Sequence, residues 1–232
     1  DLHSFPTRRS SDLQLAGCGN IAEPSESGSD SGRSKDTLVY AMWNSPSGVL
    51  NPVLVDDEYD GAVLKFTFDT LLKYDKSLNL VPNMAESYEM SEDQLILTFK
   101  LRDGIKWHDG EPVTAEDVEF TFSSMASAQY TGPRYGDVEA LKGAQDCHEG
   151  TTDQVEGIKV IDPLTIQFEF EQPYAPGITK IGADRAIIPK HIWGSVPIDQ
   201  WEKQTDLMNK PIGCGAYVLQ LEIGRASCRE RV

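Results

Sequence analysis

The chain has 232 residues, of which 39% are hydrophobic and 25% are charged, and its formal net charge at pH 7 is −16. A surface this acidic repels phosphate backbones, so a nucleic acid is a poor partner. The sequence contains no run of about 18 or more apolar residues, and it therefore predicts no transmembrane helix. The length suits one or two domains with a substantial hydrophobic core.

The start of the chain carries an anchor motif and a tether. Leu15-Ala16-Gly17-Cys18 is similar to a bacterial lipobox, in which small residues precede a cysteine that becomes acylated. Residues 19–36 are mainly Ser, Gly, Asp and Glu, and such a tract cannot bury enough apolar surface to order itself. We therefore predict that Cys18 is a lipidation site and that residues 14–36 hold the lipobox remnant and a flexible linker.

The two ends of the chain are related at the level of DNA. A DNA sequence that encodes residues 1–13, DLHSFPTRRSSDL, has a reverse complement that encodes residues 222–232, EIGRASCRERV, followed by a stop codon. Two ends of a natural protein have no reason to be related in this way, and the DNA matches a common sequencing-library adapter. We expect both ends to be adapter-derived artefacts, which fold reasoning excludes. The expected biological segment is residues 14–221.

The hydrophobic period changes within residues 94–125. Apolar residues alternate with polar ones from Leu95 to Leu101, with one apolar exception at Ile96, which indicates a half-buried strand. Two turn pairs follow, Asp103-Gly104 and Asp109-Gly110. Thr114 is a good helix N-cap. Apolar residues then recur at helical spacing at Val118, Phe122 and Met125. This stretch therefore predicts a strand, a turn and a helix.

The same stretch resembles the signature of the extracytoplasmic solute-binding proteins of family 5, the peptide- and nickel-type receptors of ABC importers. That signature is Leu-Arg-x-Gly-x-x-aromatic, Asp-Gly-x-Pro, and then Thr-Ala-x-Asp-Val before a helix. The matching residues are Leu101-Arg102-Asp103-Gly104, Trp107-His108-Asp109-Gly110, Pro112 and Thr114-Ala115-Glu116-Asp117-Val118. We expect most of them to build the strand–turn–helix unit rather than to touch a ligand.

The resemblance implies an α/β (α+β mixed) fold of the periplasmic-binding-protein-like type II class. Residues 37–221 are expected to form the first lobe, with an inserted subdomain at about residues 56–157, and the second lobe is expected to be absent. Receptors of this kind close two lobes over the ligand by hinge bending. A chain with one lobe is therefore expected to bind its ligand weakly or not at all.

The resemblance also implies where a ligand would bind. In the family, a first strand, here Thr37–Trp43, leads into a cleft-lining loop that closes on a triplet, here Leu50-Asn51-Pro52. Exposed backbone and small hydroxyls in such a loop suit hydrogen bonding to a peptide main chain. The chain leaves the first lobe at a Gly-rich step, Pro211–Val218, where close backbone approach needs glycine. The predicted ligand-binding residues are Trp43, Asn44, Ser45, Pro46, Ser47, Tyr135 and Cys214. Cys214 departs from the family pattern at its position.

The remaining patterns predict further elements. These are a helix at Glu58–Phe68, a short strand at Leu71–Tyr74, a hairpin of Ser87–Met90 with Gln94–Leu101, a hairpin of Val155–Ile161 with Leu164–Phe170, and a short helix near Ile178. Ile187 to Trp193 resembles a strand-to-helix step of the family that contains Pro-Lys-His.

The expected biological segment contains two cysteines besides Cys18. Cys147 and Cys214 could form a disulfide in an oxidising compartment or could stay free as small buried apolar side chains. We favour free thiols, because nothing in the spacing favours a bridge. Cys147-His148 lacks the paired spacing of a zinc site, so we predict no metal and no cofactor.

The leading hypothesis is a monomeric lipoprotein that binds oligo- or dipeptides and delivers them to the permease and ATPase subunits of an ABC importer. It would be extracytoplasmic, lipid-anchored to the bacterial cell membrane or periplasmic, and not an enzyme. Nickel, haem or a sugar stays open as the solute. A secreted hydrolase is an alternative, although the sequence lacks the HExxH, GxSxG, paired-Cys and P-loop motifs. A tethered surface adhesin would share Cys18 and the linker but would not need the signature.

Overall fold

The structure, a computed structural model, describes residues 42–222 and 225–230. The predicted lipidation site, the linker and the first expected adapter segment lie outside the described residues. The predicted first strand also lies mostly outside them. Its two described residues, Met42 and Trp43, belong to a loop rather than a strand.

Helices and strands alternate in short groups along the chain. The α-helices are α1 (Glu58–Thr67), α2 (Ala115–Ala126), α3 (Ala144–His148), α4 (Gly177–Gly182), α5 (Lys190–Trp193) and α6 (Thr205–Asn209). The strands are β1 (Leu72–Tyr74), β2 (Leu80–Pro82), β3 (Ala85–Met90), β4 (Ile96–Leu101), β5 (Ile158–Asp162), β6 (Thr165–Glu169), β7 (Tyr217–Glu222) and β8 (Arg225–Glu230). Two 3-10 helices span Tyr135–Asp137 and Ile198–Lys203.

Two hairpins combine into one antiparallel sheet with the strand order β3-β4-β6-β5. The inner strands β4 and β6 pair Leu97 with Phe168 and Phe99 with Ile166. These four side chains are fully buried, because the alternation of apolar and polar residues turns one face of each strand into the core. Both predicted hairpins are therefore confirmed, with bounds that differ by a few residues.

Helix α2 covers the buried face of this sheet. The Phe122 ring meets the Phe168 ring edge to face, with centroids 5.2 Å apart. Phe168 in turn meets Phe99 in the same geometry at 6.1 Å. Edge-to-face pairs of this kind add stability beyond the area they bury. The helix predicted after Thr114 is thus confirmed, and its apolar stripe faces the sheet as expected.

Helix α1 begins and ends close to the predicted bounds. The Asp57 carboxylate accepts hydrogen bonds from the N–H groups of Tyr59 and Asp60, at 2.8 and 3.1 Å. This is a normal N-cap, which satisfies two donors that have no partner within the helix. Val63 and Leu64 are buried on the inner side of α1.

The strand-to-helix step near Ile187 forms only in part. Its helix is α5, but its strand is reduced to a single bridge between Thr70 and Ala186. Part of the second expected adapter segment, Glu222 and Arg225–Glu230, pairs in the β7–β8 hairpin. That pairing does not test the origin of the segment. Within residues 42–222 and 225–230, no helix has the length and apolar character needed to cross a bilayer.

Candidate functional site

The loop predicted to line the ligand cleft precedes α1. Its residues 43–48 form neither helix nor strand, and the Trp43 side chain is 97% exposed. Asn44, Ser45 and Ser47 are exposed as well, whereas Pro46 is partly buried. The structure thus presents this part of the predicted site at the surface.

A buried carboxylate of α1 fixes the far end of this loop. Asp60 is 0% exposed, and its Oδ2 accepts the hydroxyl hydrogen of Ser47. Its Oδ1 accepts the Gly48 N–H at 3.0 Å. Because Asp60 lies in the first turn of a capped helix, its carboxylate is a rigid support for the loop.

The segment after the loop, residues 51–55, is held by a bond within itself and by two side chains that follow α2. Asn51 Oδ1 accepts the N–H of Val53 at 3.0 Å. The Tyr130 hydroxyl donates to the Val53 carbonyl, and Arg134 Nη2 donates to the Val55 carbonyl. Burial raises the pKa of Tyr130 to about 12, so the phenol stays protonated and can donate.

Tyr135 follows Arg134 in the chain, and its ring packs against His148. Its ring stacks on the His148 ring with centroids 3.8 Å apart and an interplanar angle of 17°. Tyr135 is partly buried at the start of a 3-10 helix. Its contact with a ligand stays a prediction.

Hydrogen bonds with His108, a residue of the signature, hold the Gly-rich step in place. The His108 N–H donates to the Gly213 carbonyl at 2.8 Å, and the Gly213 N–H donates back to His108 Nδ1 at 3.2 Å. Since Nδ1 accepts a hydrogen bond, the ring proton lies on Nε2, which is 3.0 Å from the Gly215 carbonyl oxygen. One side chain therefore fixes two of the three residues from Gly213 to Gly215.

The same step packs against the end of α1. A Cβ atom added to Gly213 would lie 1.9 Å from the Thr67 carbonyl oxygen, and one added to Gly215 would lie 2.7 Å from the Phe66 carbonyl oxygen. The Gly215 N–H donates to the Thr67 carbonyl at 2.8 Å. The prediction that close backbone approach requires glycine here is confirmed.

Cys147 and Cys214 are buried and free. Burial raises the pKa of the Cys214 thiol to about 12, and its sulfur lies 3.9 Å from that of Met84. Burial and the nearby Asp153 carboxylate also raise the pKa of Cys147. The favoured prediction of free thiols is confirmed. Ligand contact by Cys214 stays a prediction, and the side chain is only 7% exposed.

These two thiols are expected to be inert in the folded protein. Thiolate is the reactive form, and a buried thiol with a raised pKa supplies almost none at pH 8. In a variant with Cys18→Ser and Cys228→Ser, a thiol-specific reagent should react with fewer than about 0.1 thiols per chain before unfolding and with two in urea. Fast labelling of Cys214 at pH 8 without denaturant would contradict its burial.

Within the signature, hydrogen bonds to Asp117 connect the turn at Trp107 with two helices. Trp107 is fully buried, and its Nε1 donates to Asp117 Oδ2 over 3.4 Å. The same oxygen accepts the Thr114 N–H at 2.9 Å, while Asp117 Oδ1 accepts the Lys190 N–H at 2.9 Å. One carboxylate thus joins the turn, the start of α2 and the start of α5, which gives Trp107, Thr114 and Asp117 a structural role.

Two cavities open elsewhere on the described part of the chain. One, of about 270 Å³, is lined by Glu111, Pro112, Thr114, Glu116, Asp117, Lys190 and His191. The other, of about 220 Å³, is lined by Ser127, Ala128, Gln129, Cys147, Gly150, Thr152 and Asp153. Neither includes a predicted ligand-binding residue. Among the described residues, no group of three or more His, Cys, Asp or Glu side chains is placed to hold a metal ion.

The sequence is also similar to proteins that are already known. A family model described as bacterial extracellular solute-binding proteins, family 5 middle, matches residues 79–221. The chain belongs to this family. The family 5 assignment agrees with the signature and with the mixed helix and sheet architecture, and family 5 proteins are extracytoplasmic solute-binding proteins.

Two relatives illustrate the match. The dipeptide-binding protein of Escherichia coli K12 is 31% identical over 196 residues, which are 79% of this chain and 35% of that protein. The oligopeptide-binding protein AppA of Bacillus subtilis 168 is 30% identical over 182 residues, which are 78% of this chain and 30% of that protein. The family 5 chain therefore spans about a third of the length of these relatives.

Solved structures share the fold of the family 5 chain. AppA from Bacillus subtilis in complex with a nonapeptide gives a TM-score of 0.69 at 26% identity, and the match covers 81% of this chain and 34% of that one. NikZ from Campylobacter jejuni in complex with Ni(L-His) gives a TM-score of 0.70 at 24% identity, and covers 85% and 36%. The second likeness shows the fold alone.

Proposed function

We propose that this family 5 chain is part of an extracytoplasmic receptor that binds oligo- or dipeptides and delivers them to an ABC importer. The observation that carries the proposal is the 31% identity to a dipeptide-binding protein over 79% of the chain. The structure bound to a nonapeptide supports it further. Nickel, haem and sugars are the alternative solutes, and the nickel-complex structure, at 24% identity, supports the fold alone.

The geometry of the loop at residues 43–48 is compatible with a peptide ligand. Trp43 offers a large exposed aromatic surface, and Ser47 offers a hydroxyl on a fixed backbone. Extended peptides are bound through main-chain hydrogen bonds together with side-chain contacts of this kind. The loop would form one wall of the site, and we propose that residues beyond this chain form the other wall.

A titration with mixed peptides tests this division of the site. The chain alone is expected to show no binding of micromolar strength to a mixed peptide library, because the contacts of the other wall would be missing. A receptor extended from source DNA beyond Leu221 is expected to retain peptides, which mass spectrometry of the purified protein would detect. Micromolar binding by the chain alone would contradict the proposal that residues beyond this chain form the second wall. A nickel complex, haem or sugar retained by the extended receptor would replace the peptide assignment. Turnover of chromogenic esters or peptides would favour a secreted hydrolase.

We also propose that Cys18 is lipidated and anchors the receptor to the membrane. The support is the sequence Leu15-Ala16-Gly17-Cys18 before a polar tract. With a bacterial lipoprotein signal peptide fused before Leu15, cells grown with labelled palmitate should label the chain. The Cys18→Ser variant should stay unlabelled. Equal labelling of the two proteins would contradict the assignment.

A further proposal concerns the extent of the biological segment. The reverse-complement relation supports the interpretation of residues 1–13 and 222–232 as translated adapter, with residues 37–221 as a first lobe that carries an insertion at about residues 56–157. Sequencing genomic DNA from the source across both ends tests it. Different codons are expected before Gln14 and after Leu221, and genomic codons for both terminal segments would overturn the interpretation.

A further inference from the structure

The hydrogen bonds at Asp60 have a fixed direction. The Ser47 hydroxyl donates its single hydrogen to Asp60, whose carboxylate oxygen is the acceptor. The Gly48 N–H is committed to the same carboxylate. Ser47 itself is exposed, whereas Asp60 is fully buried. The Ser47 oxygen can therefore show only its lone pairs to a molecule that approaches the loop.

The burial of Asp60 makes these two bonds important. A buried carboxylate is unfavourable unless its oxygens are hydrogen-bonded, and bonds to a charged acceptor are stronger than neutral ones. Both of its oxygens are satisfied by the loop, and its position in the first turn of α1 adds the favourable field of the helix N-terminus. The loop and the carboxylate thus stabilise each other.

We propose that Asp60 is the positioning residue of the loop at residues 43–48 and makes Ser47 a hydrogen-bond acceptor toward the ligand. The second part rests on the proposed peptide-receptor function. The ligand group that fits Ser47 is the N–H donor of a peptide amide. A ligand carbonyl or carboxylate at the same place would bring its oxygen lone pairs against those of Ser47, and the two oxygens would repel each other.

Amide hydrogen exchange of the full chain tests the positioning role without any ligand. Asp60→Ala removes both acceptors, and the Gly48 amide is expected to exchange about tenfold faster. Asp60→Asn keeps one acceptor oxygen and should hold the change to about threefold. Glu58→Gln is the matched control, since it removes one charge from the same helical turn, and it should leave Gly48 unchanged. The Phe99 amide in β4 should stay protected in every variant.

A double-variant comparison tests whether Ser47 and Asp60 act together on the loop. Ser47→Ala alone should speed exchange at Gly48 by about threefold, because it loosens the loop by one hydrogen bond. In the Asp60→Ala background the same substitution should add nothing. Unchanged Gly48 exchange in Asp60→Ala, or additive effects of the two substitutions, would overturn the positioning role.

Peptide titration by NMR tests separately whether the Ser47 oxygen accepts a hydrogen bond from the ligand. In NMR titrations of the receptor extended beyond Leu221, trialanine should shift the Ser47 and Gly48 signals, and its N-methylated analogue should not, because it has lost the amide donors. Asp60→Asn can donate its amide N–H to Ser47, which frees the serine hydroxyl to donate outward, so this variant should lose the preference for trialanine. Equal shifts with both peptides would overturn the acceptor assignment. If neither peptide shifts any signal of this extended receptor, the peptide assignment and the acceptor role fail, while the exchange data on the full chain still decide whether Asp60 positions the loop.

Discussion

Replacing Gly213 by alanine is expected to lower the free energy of unfolding by about 3 kcal/mol. The added Cβ would lie 1.9 Å from the carbonyl oxygen and 2.8 Å from the carbonyl carbon of Thr67, and both are backbone atoms that cannot rotate away. The glycine cannot move freely either, because its N–H and its carbonyl both bond to His108. The substitution must therefore separate the Gly-rich step from the end of α1 or break the hydrogen bonds with His108.

Urea unfolding measures this effect, and Gly61→Ala provides its control. Gly61 lies inside α1, and a Cβ there would meet nothing within 4 Å. Alanine at that position should stabilise the chain by about 0.4–1 kcal/mol, since it reduces the entropy of the unfolded state and favours the helix. The two glycine substitutions thus have opposite expected signs. A Gly213→Ala variant as stable as the parent would show that this step is not packed against Thr67.

Elements with a regular hydrophobic period could be predicted from the sequence. The alternation from Leu95 to Leu101 and the helical spacing after Thr114 reflect which side chains face the core, and the core decides both elements. The strand expected at Ile187-Ile188 shows the limit of this reasoning. The Ile188 N–H bonds to the Thr121 hydroxyl, at 3.0 Å, rather than to a neighbouring strand. An apolar pair can be buried without joining a sheet.

The supports of the candidate site could not be predicted from periodicity. The hydrogen bonds between His108 and Gly213 join residues about 105 positions apart, and Tyr130 reaches Val53 across 77 positions. Contacts of this range depend on how the elements pack, which local patterns do not encode. One signal was nevertheless present, because Asp60 shares the buried face of α1 with Val63 and Leu64. A carboxylate on the apolar face of a helix must find donors, and those donors lie in the predicted loop.

Asp117 is a second buried carboxylate on a helix, because it lies on α2 together with the buried Val118 and Phe122. Asp117→Ala is expected to lower the free energy of unfolding by about 3–4 kcal/mol. The substitution removes the acceptor of the Lys190 N–H and of the Trp107 indole N–H, both of which lie at the junction of the turn, α2 and α5. Urea unfolding followed by tryptophan fluorescence gives the measurement.

The neighbouring carboxylate is the matched control for this substitution. Glu116 is on the same helical turn and pairs with the Lys190 ammonium at 3.0 Å, but its side chain is 63% exposed. Exposed ion pairs contribute little, so Glu116→Ala should cost less than about 1 kcal/mol. Asp117→Asn should fall between the two, because one amide oxygen can still accept while the amide N–H₂ faces other donors. Equal losses from Asp117→Ala and Glu116→Ala would mean that the signature carboxylate acts as a surface charge and not as the acceptor that joins three elements.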